Sequence, residues 1–360
     1  MSNRQHVLVV GAGIIGALIA LRLLRAGAQV TVLGGDDLGG TATRNSFAWI
    51  NASWGNPRDY FRLRVNAIDE WYELERSLPN LRVSWTGSLN WGLSPDQLQR
   101  FATENASWGF NTRTVGPEEA LWLEPNLADP PDLAMYAPAE GAVEPLDATR
   151  AILAAVIRLG GIVVANNPAR ALDMKNGRVC GIRTDTDYFA ADEIVVAAGA
   201  GTAPLLSTVG FSLPVRVLPS LLITSRPHPK LLNGLIITPA VQIRQNPEGR
   251  VIACAGLEHG MRSDETVNAA LALHEAVQGT VKSGELLVLE RYAVGYRPIP
   301  ADGLPLLGRI GSIAGLYIAV THSGITLAPT IGRLVAEEIV TMRQDPLLKP
   351  YSVNRFRPES

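Results

Sequence analysis

The chain has 360 residues, 47% of them hydrophobic, and a formal net charge of −2 at pH 7; the length favours two domains with a large buried core, and the near-neutral balance argues against nucleic acid, which takes a basic patch. No apolar run reaches about 18 residues free of charge, so no transmembrane helix is expected; the nearest, 7–24, is broken by three glycines and Arg22. Cys180 and Cys254 form no metal or redox spacing, and residues 1–5 are too short and polar for a secretion signal, so no metal site and a cytoplasmic location are expected.

The chain opens on an apolar run, Val7 to Val10, that ends in Gly11-Ala12-Gly13-Ile14-Ile15-Gly16. A helical stretch over 14–26 and a second apolar run over 30–33 follow. Strand, glycine turn, helix and strand is the context in which G-x-G-x-x-G reads as a dinucleotide site. Gly11 permits the tight turn, Gly13 lets backbone approach a pyrophosphate, and Gly16 lets the helix pack close to the sheet. The helix N-terminus adds free N–H groups and a positive dipole end.

Residues 34–40 form a glycine-rich connection, and 41–56, polar and aromatic, reads as an ordered loop. A long helix is expected over 58–78, with Phe61, Val65, Ile68, Tyr72 and Leu74 near one face. Two short strands follow over 81–93, then helices over 95–107 and 117–123 that open near proline. Pro125, Pro130, Pro131, Pro138 and Pro145 mark 125–145 as an irregular crossing between domains. A helix over 146–159 leads to strands at 161–165 and 178–184, the latter in a hairpin turned at Asn176-Gly177. A buried strand over 192–197 ends in Gly199-Ala200-Gly201. Residues 214–256 alternate as strands do, with a turn at 246–249. A helix at 264–282, a strand at 285–296, a glycine- and proline-rich stretch over 297–308, a strand at 316–320 and a last helix over 324–342 complete the chain. Strands alternate with helices at both ends and look antiparallel in the middle. That pattern predicts an α/β nucleotide domain assembled from separated segments, with a second α+β domain inserted.

Five stretches together resemble the FAD-dependent D-amino-acid-oxidase-like superfamily, in particular its glycine oxidase, sarcosine oxidase and D-amino-acid dehydrogenase branch. They are the N-terminal glycine motif, the strand-turn-strand over 161–184, Asp192 to Ala200, Tyr296-Arg297-Pro298-Ile299-Pro300-Ala301-Asp302-Gly303-Leu304-Pro305-Leu306-Leu307-Gly308, and Thr321-His322-Ser323-Gly324-Ile325-Thr326-Leu327-Ala328-Pro329. The resemblance implies a Rossmann-like FAD-binding domain from discontinuous segments, 1–80, 141–210 and 297–360. It also implies an inserted α+β substrate domain on an antiparallel sheet, 81–140 and 211–296. Expected cofactor contacts are Gly11, Gly13, Ile14, Ile15 and Gly16 of the glycine motif, Thr43 and Arg44 of the following loop, Ala169 beside the adenine, Gly199, Arg297, and Ser323, Gly324, Ile325 and Thr326 opening the last helix. Gly34 stands where the family usually has the ribose-binding Glu, so Asp36 or Asp37 is the substitute, or both are plain loop acids. Covalent-flavin relatives carry a cysteine just before Tyr296; here Ala293-Val294-Gly295 precedes it, which implies non-covalent FAD.

The resemblance also implies oxidation of the C–N bond of an amino acid or secondary amine by hydride transfer to flavin, followed by imine hydrolysis. Arg297 matches the family's carboxylate-binding arginine, the alternative being an arginine that ties its loop to Asp302. His322 is either a catalytic or a packed histidine beside the flavin. Trp49, Trp54, Trp91, His259 and Tyr296 are candidates for the substrate pocket, the tryptophans alternatively packing one subdomain. Some relatives carry a second arginine just after this histidine; Ser323-Gly324 stands there instead. The rival readings are oxidation of a 2-hydroxy acid or other alcohol, which needs a protein base, and a flavin-binding subunit of a heteromeric dehydrogenase complex; a homo-oligomer is also compatible.

Overall fold

A computed structural model describes residues 5–35, 38–258 and 260–356. The N-terminal run forms the strand His6–Val10, buried at every position from Val7 onward, at the centre of a six-stranded sheet. The order across that sheet is Leu306–Arg309, Leu316–Val320, Glu193–Val196, His6–Val10, Gln29–Leu33 and Ile162–Val164. All neighbours are parallel except the first pair. The inner strands, buried on both faces, read as continuous apolar runs, which is why they stand out in the sequence. The helices Ile14–Arg25, Arg58–Ser77 and Gly324–Thr341 pack on one face. Glu70 fastens all three: its carboxylate accepts from Arg22 at 3.2 Å and from Thr330 and Arg333 at 2.9 Å.

The central region builds an eight-stranded sheet in the order Leu289–Pro300, Val215–Pro227, Arg250–Gly256, Gln242–Gln245, Leu235–Ile237, Ser88–Asn90, Ala134–Ala137 and Arg113–Val115. Neighbours are antiparallel apart from the pair Leu235–Ile237 and Ser88–Asn90. The helix Ser263–Thr280 covers one face through Ala270, Leu273 and Val277. Small three-stranded sheets flank the two large ones: Trp49–Ile50, Gly141–Val143 and Val83–Ser84 in one, and Ala171–Lys175, Arg178–Arg183 and Tyr188–Ala190 in the other. The α/β class with a Rossmann-like sheet and a mainly antiparallel second sheet is as expected.

Three local expectations need correction. The loop over 41–56 contains a short helix, Thr41–Arg44, and the strand Trp49–Ile50. The proline-dense region 125–145 is not merely irregular, since it supplies Ala134–Ala137 and Gly141–Val143 to two sheets, the prolines falling between strands. The strand expected to stop at 296 runs on to Pro300. It lies at the sheet's edge, paired only with Val215–Pro227, and there a missing proline N–H is tolerated on the open side.

Candidate active site

A cavity of about 930 Å³ lies at the C-terminal ends of the parallel strands, where Val10, Leu33 and Ala197 reach its wall, and extends to Arg297 on the eight-stranded sheet. That is large for a ligand site, near the upper end of the roughly 300–1,000 Å³ range. Its floor is the glycine turn. Gly11 has φ +119°, and a Cβ there would sit 2.3 Å from the Ala197 carbonyl oxygen. A Cβ on Gly16 would lie 1.8 Å from the Gly11 carbonyl oxygen, so this residue serves the turn's packing and does not line the cavity. Gly13 does line it, and its Cβ would meet only Thr43 Oγ1, at 3.3 Å, and the Gly39 carbonyl oxygen, at 3.9 Å. Thr43 Oγ1 accepts from the Ile14 amide at 3.3 Å, fixing the loop over the helix N-terminus.

The remaining wall is held by a buried polar frame. Trp71 Nε1 donates to the carbonyls of Ile325 and Thr326 at 3.0 and 3.2 Å, anchoring the start of the last helix. Thr326 Oγ1 donates to the Trp49 carbonyl at 3.1 Å and accepts from the Asn51 amide at 3.3 Å. Glu140 organises the tryptophan loop: it accepts from Trp49 Nε1 at 2.9 Å, from the Ala52 and Ser53 amides at 2.8 Å, and from Ser88 Oγ at 2.6 Å. Burial pushes its pKa up, opposed by the donors from Ser88, Ser53 and Ala52. Replacing an acceptor oxygen with an amide N–H₂ turns a donor toward donors. Glu140→Gln is therefore expected to lower stability by about 1.5–3 kcal/mol, read as an earlier urea midpoint with shifted tryptophan emission. An unchanged midpoint would show that these donors find acceptors elsewhere.

The expected site residues fall into three groups. Gly11, Gly13, Ile14, Ile15, Thr43, Arg44, Ala169, Gly199, Ser323, Gly324, Ile325, Thr326, Arg297, His322, Trp49 and Trp54 all line the one cavity. Trp91 and Tyr296 do not. Trp91 packs against the core under the helices Pro95–Ser107 and Ser263–Thr280. Tyr296 is 46% exposed, because successive strand residues point to opposite faces and its neighbour Arg297 takes the cavity side. Asp36, Asp37 and His259 lie outside the described residues. Gly34 is closely packed, its amide donating to the Val164 carbonyl at 2.7 Å.

Arg297 is not tied to Asp302. Both Asp302 oxygens accept from Arg355, each at 2.8 Å, while Arg297 Nε is buried without a hydrogen-bond partner. Burial pushes Asp302 up, but the Arg355 hydrogen bonds and charge and the Leu304 amide outweigh it and hold the carboxyl low. Arg297 Nη1 lies 3.5 Å from His322 Nε2. The His322 imidazole lines the cavity and is open to it. Burial, then the charges of Arg297 and Arg64, push its pKa down to about 4. His322 is therefore mainly neutral at pH 7.

Sequence reasoning missed two residues of this wall. Arg64, 5% exposed, rises from the helix Arg58–Ser77 and donates to the Asn51 carbonyl, Asn51 Oδ1, Tyr60 Oη and Ser323 Oγ. Its signal was available: it sits three residues past Phe61 and four before Ile68, on the face assigned to the interior. Cys254 reaches the cavity from Arg250–Gly256. Burial, opposed by Arg297 and Arg244, pushes its thiol up to about 12, so it stays protonated. Among the described lining residues there are three arginines, Arg44, Arg64 and Arg297, and no carboxylate.

A parallel sheet with a glycine turn feeding a helix N-terminus, opening into a deep, positively charged cavity, is the architecture of a dinucleotide-binding protein. A family model described as FAD dependent oxidoreductase matches residues 6–338, and the chain belongs to that family. It is 25% identical to an opine oxidase subunit of Agrobacterium tumefaciens (strain Ach5), over 97% of this chain and 96% of that one. It is 27% identical to the glycine oxidase of Geobacillus kaustophilus (strain HTA426), over 99% and 98% of the two chains. The crystal structure of glycine oxidase from Geobacillus kaustophilus superposes with a TM-score of 0.89 at 24% identity, covering 99% of this chain and 100% of that one. The protein is accordingly an FAD-dependent enzyme of the amine and amino-acid oxidase or dehydrogenase type. The residues present fit that cofactor: bare backbone at Gly13, a helix N-terminus beneath it, and buried Arg297 Nε and Thr321 Oγ1 without partners in the same cavity. No described helix is long and apolar enough to cross a membrane.

Proposed function

We propose that this protein oxidises the C–N bond of a carboxylate-bearing amine, an amino acid or secondary amine, with FAD held non-covalently. The observation that carries the reading is Arg297: a guanidinium on the cavity wall, released from Asp302 by Arg355, 3.5 Å from a neutral imidazole. Two parallel N–H bonds from Arg297 fix a substrate carboxylate and so decide which C–H faces the reacting centre. When bound, FAD supplies the acceptor for the hydride leaving the carbon beside nitrogen. The glycine turn, Thr43 and Arg44 would hold its phosphates, and the amides at 324–326, at the positive end of the last helix, would stabilise negative charge on the bound group. In this reading the six-stranded sheet carries the cofactor and the eight-stranded sheet the substrate, with Arg297 near the end of Leu289–Pro300 at their junction. Trp49 and Trp54, whose ring centroids lie 6.1 Å apart, shield the pocket from water. The protonated Cys254 thiol favours non-covalent FAD. Its free cysteines suit a reducing, cytoplasmic setting.

The test is an anaerobic screen of flavin bleaching against amines, amino acids and 2-hydroxy acids. Bleaching by amines supports the proposal; bleaching by hydroxy acids alone defeats it. A second reading is favoured by the relative named as an opine oxidase subunit: this chain as one member of a heteromeric oxidase, for which co-purification of a stoichiometric second chain is the test.

The neutrality of His322 gives a pH prediction. A group that gains a proton only near pH 4 is a weak base at neutral pH, so the substrate amine is expected to enter deprotonated. His322→Asn should still reduce the flavin, at a rate that rises with pH along the substrate amine's own titration, because only the neutral amine offers its lone pair. Stopped-flow reduction across a pH series decides it. A near-zero rate at every pH, in a variant that keeps FAD and binds substrate, would make His322 a required base and revive alcohol oxidation.

A further inference from the structure

Among the described residues, the eight-stranded sheet lines the cavity with four polar side chains, Ser220, Gln242, Cys254 and Arg297. The hydrogen bonds each makes within the protein decide what it still offers a ligand. Arg297 carries only N–H groups. The Cys254 thiol, held protonated, donates to Gln242 Oε1 at 3.4 Å, so the carboxamide oxygen is engaged and its N–H₂ end is left over. Ser220 is the reverse case. Its hydroxyl donates to the Ala255 carbonyl at 3.2 Å, which spends its one hydrogen and leaves the oxygen lone pairs. Toward the cavity Ser220 can accept and cannot donate.

Strand pairing sets this acceptor beside the guanidinium. Arg297 lies opposite Leu218, and Gly295 opposite Ser220. Ser220 is therefore the diagonal neighbour of Arg297 on the same face, at about 7–8 Å in such a ladder. A carboxylate held on Arg297 and the nitrogen one carbon away from it span that gap. The reaction asks two things of this nitrogen. Its lone pair must stay free, because it drives hydride from the next carbon, and its N–H must be fixed so that the lone pair lines up with the breaking C–H. A donor placed here would cap the lone pair; an oxygen whose hydrogen is already committed cannot. Resting on the amine oxidation proposed above, we propose that Ser220 Oγ accepts the N–H of the substrate amine, and that its bond to Ala255 keeps it from blocking the lone pair. Ser220 is then a residue that touches the substrate, and Ala255 the group that sets its polarity.

Two carboxylates that escape oxidation test this on the holoenzyme. 2-Aminoisobutyrate has no C–H beside its amine, and pivalate carries a methyl in place of that amine. Binding is read from perturbation of flavin absorbance across a pH series, with the affinity of 2-aminoisobutyrate referred to its neutral form. Ser220→Ala should weaken that form roughly five-fold or more, as loss of one hydrogen bond does, and leave pivalate within about two-fold. Ser220→Thr keeps the hydroxyl and should restore most of the loss. Stopped-flow reduction by an amine that bleaches the flavin should slow about ten-fold or more in Ser220→Ala at saturating substrate. Equal losses for the two ligands, no loss for either, or an unslowed reduction overturns the proposal. Should neither ligand bind, the reduction rates decide alone. Failure of every amine to bleach the flavin sinks the proposed activity. Bleaching at equal rates in wild type and Ser220→Ala sinks only the role of Ser220.

Discussion

Gly13→Val should give folded, colourless protein, whereas Gly16→Val should give almost no folded protein at all. The two glycines stand three residues apart in one motif, yet their surroundings differ. At Gly13 a Cβ meets a threonine hydroxyl at 3.3 Å, which a small shift relieves, and the added methyls project into the cavity where backbone must approach the cofactor. FAD affinity should fall by roughly 100-fold or more, about 2.7 kcal/mol, with far-ultraviolet circular dichroism unchanged. At Gly16 the Cβ would lie 1.8 Å from the Gly11 carbonyl oxygen, a backbone atom held by the Gly11 amide's bond to the Leu33 carbonyl at 2.8 Å. Nothing flexible can yield there. A yellow Gly13→Val protein would remove the pyrophosphate from the glycine turn.

Arg297→Lys should cost a carboxylate substrate at least about ten-fold in kcat/KM, from loss of roughly 1.5–3 kcal/mol of charged hydrogen bonding. Lysine keeps the charge but not the paired N–H geometry. An amine of the same shape without the carboxylate should lose far less. Thermal stability should hardly change, because Arg355 already satisfies Asp302 and Arg297 Nε has no partner to lose. Equal losses on both amines, together with a lower melting temperature, would make Arg297 a structural residue.

Much of the fold was legible because it follows from local rules. The glycine turn declares itself by spacing, and the helix Pro95–Ser107 by Ser94, proline and Gln97, whose capping box forms as such sequences do. The helix Gly324–Thr341 and the strand Leu316–Val320 read directly from apolar periodicity. What failed to show was long-range. Pro298 and Pro300 concealed a strand because only the sheet order reveals which side of it lacks a neighbour. Tyr296 and Arg297 were both assigned to the pocket, although the two-residue repeat of a strand admits only one of them. Arg64 stayed hidden because its partners Asn51 and Ser323 lie 13 and 259 residues away. Helical spacing could mark it as interior; nothing local could say that it faces a cavity.

The strand Leu289–Pro300 also limits how the protein can assemble. An edge strand normally offers a row of unused donors and acceptors to which another chain can add itself, and a cavity wall built on such an edge invites occlusion by a neighbouring molecule. Here the residues flanking Arg297 on its C-terminal side deny that template: Pro298 and Pro300 have no N–H to give, so a foreign strand that began to zip along Leu289–Pro300 would lose its register of bonds on reaching the pocket. The same sequence that presents the guanidinium to the ligand thus keeps its own entrance from being sealed by intermolecular β-pairing along this edge.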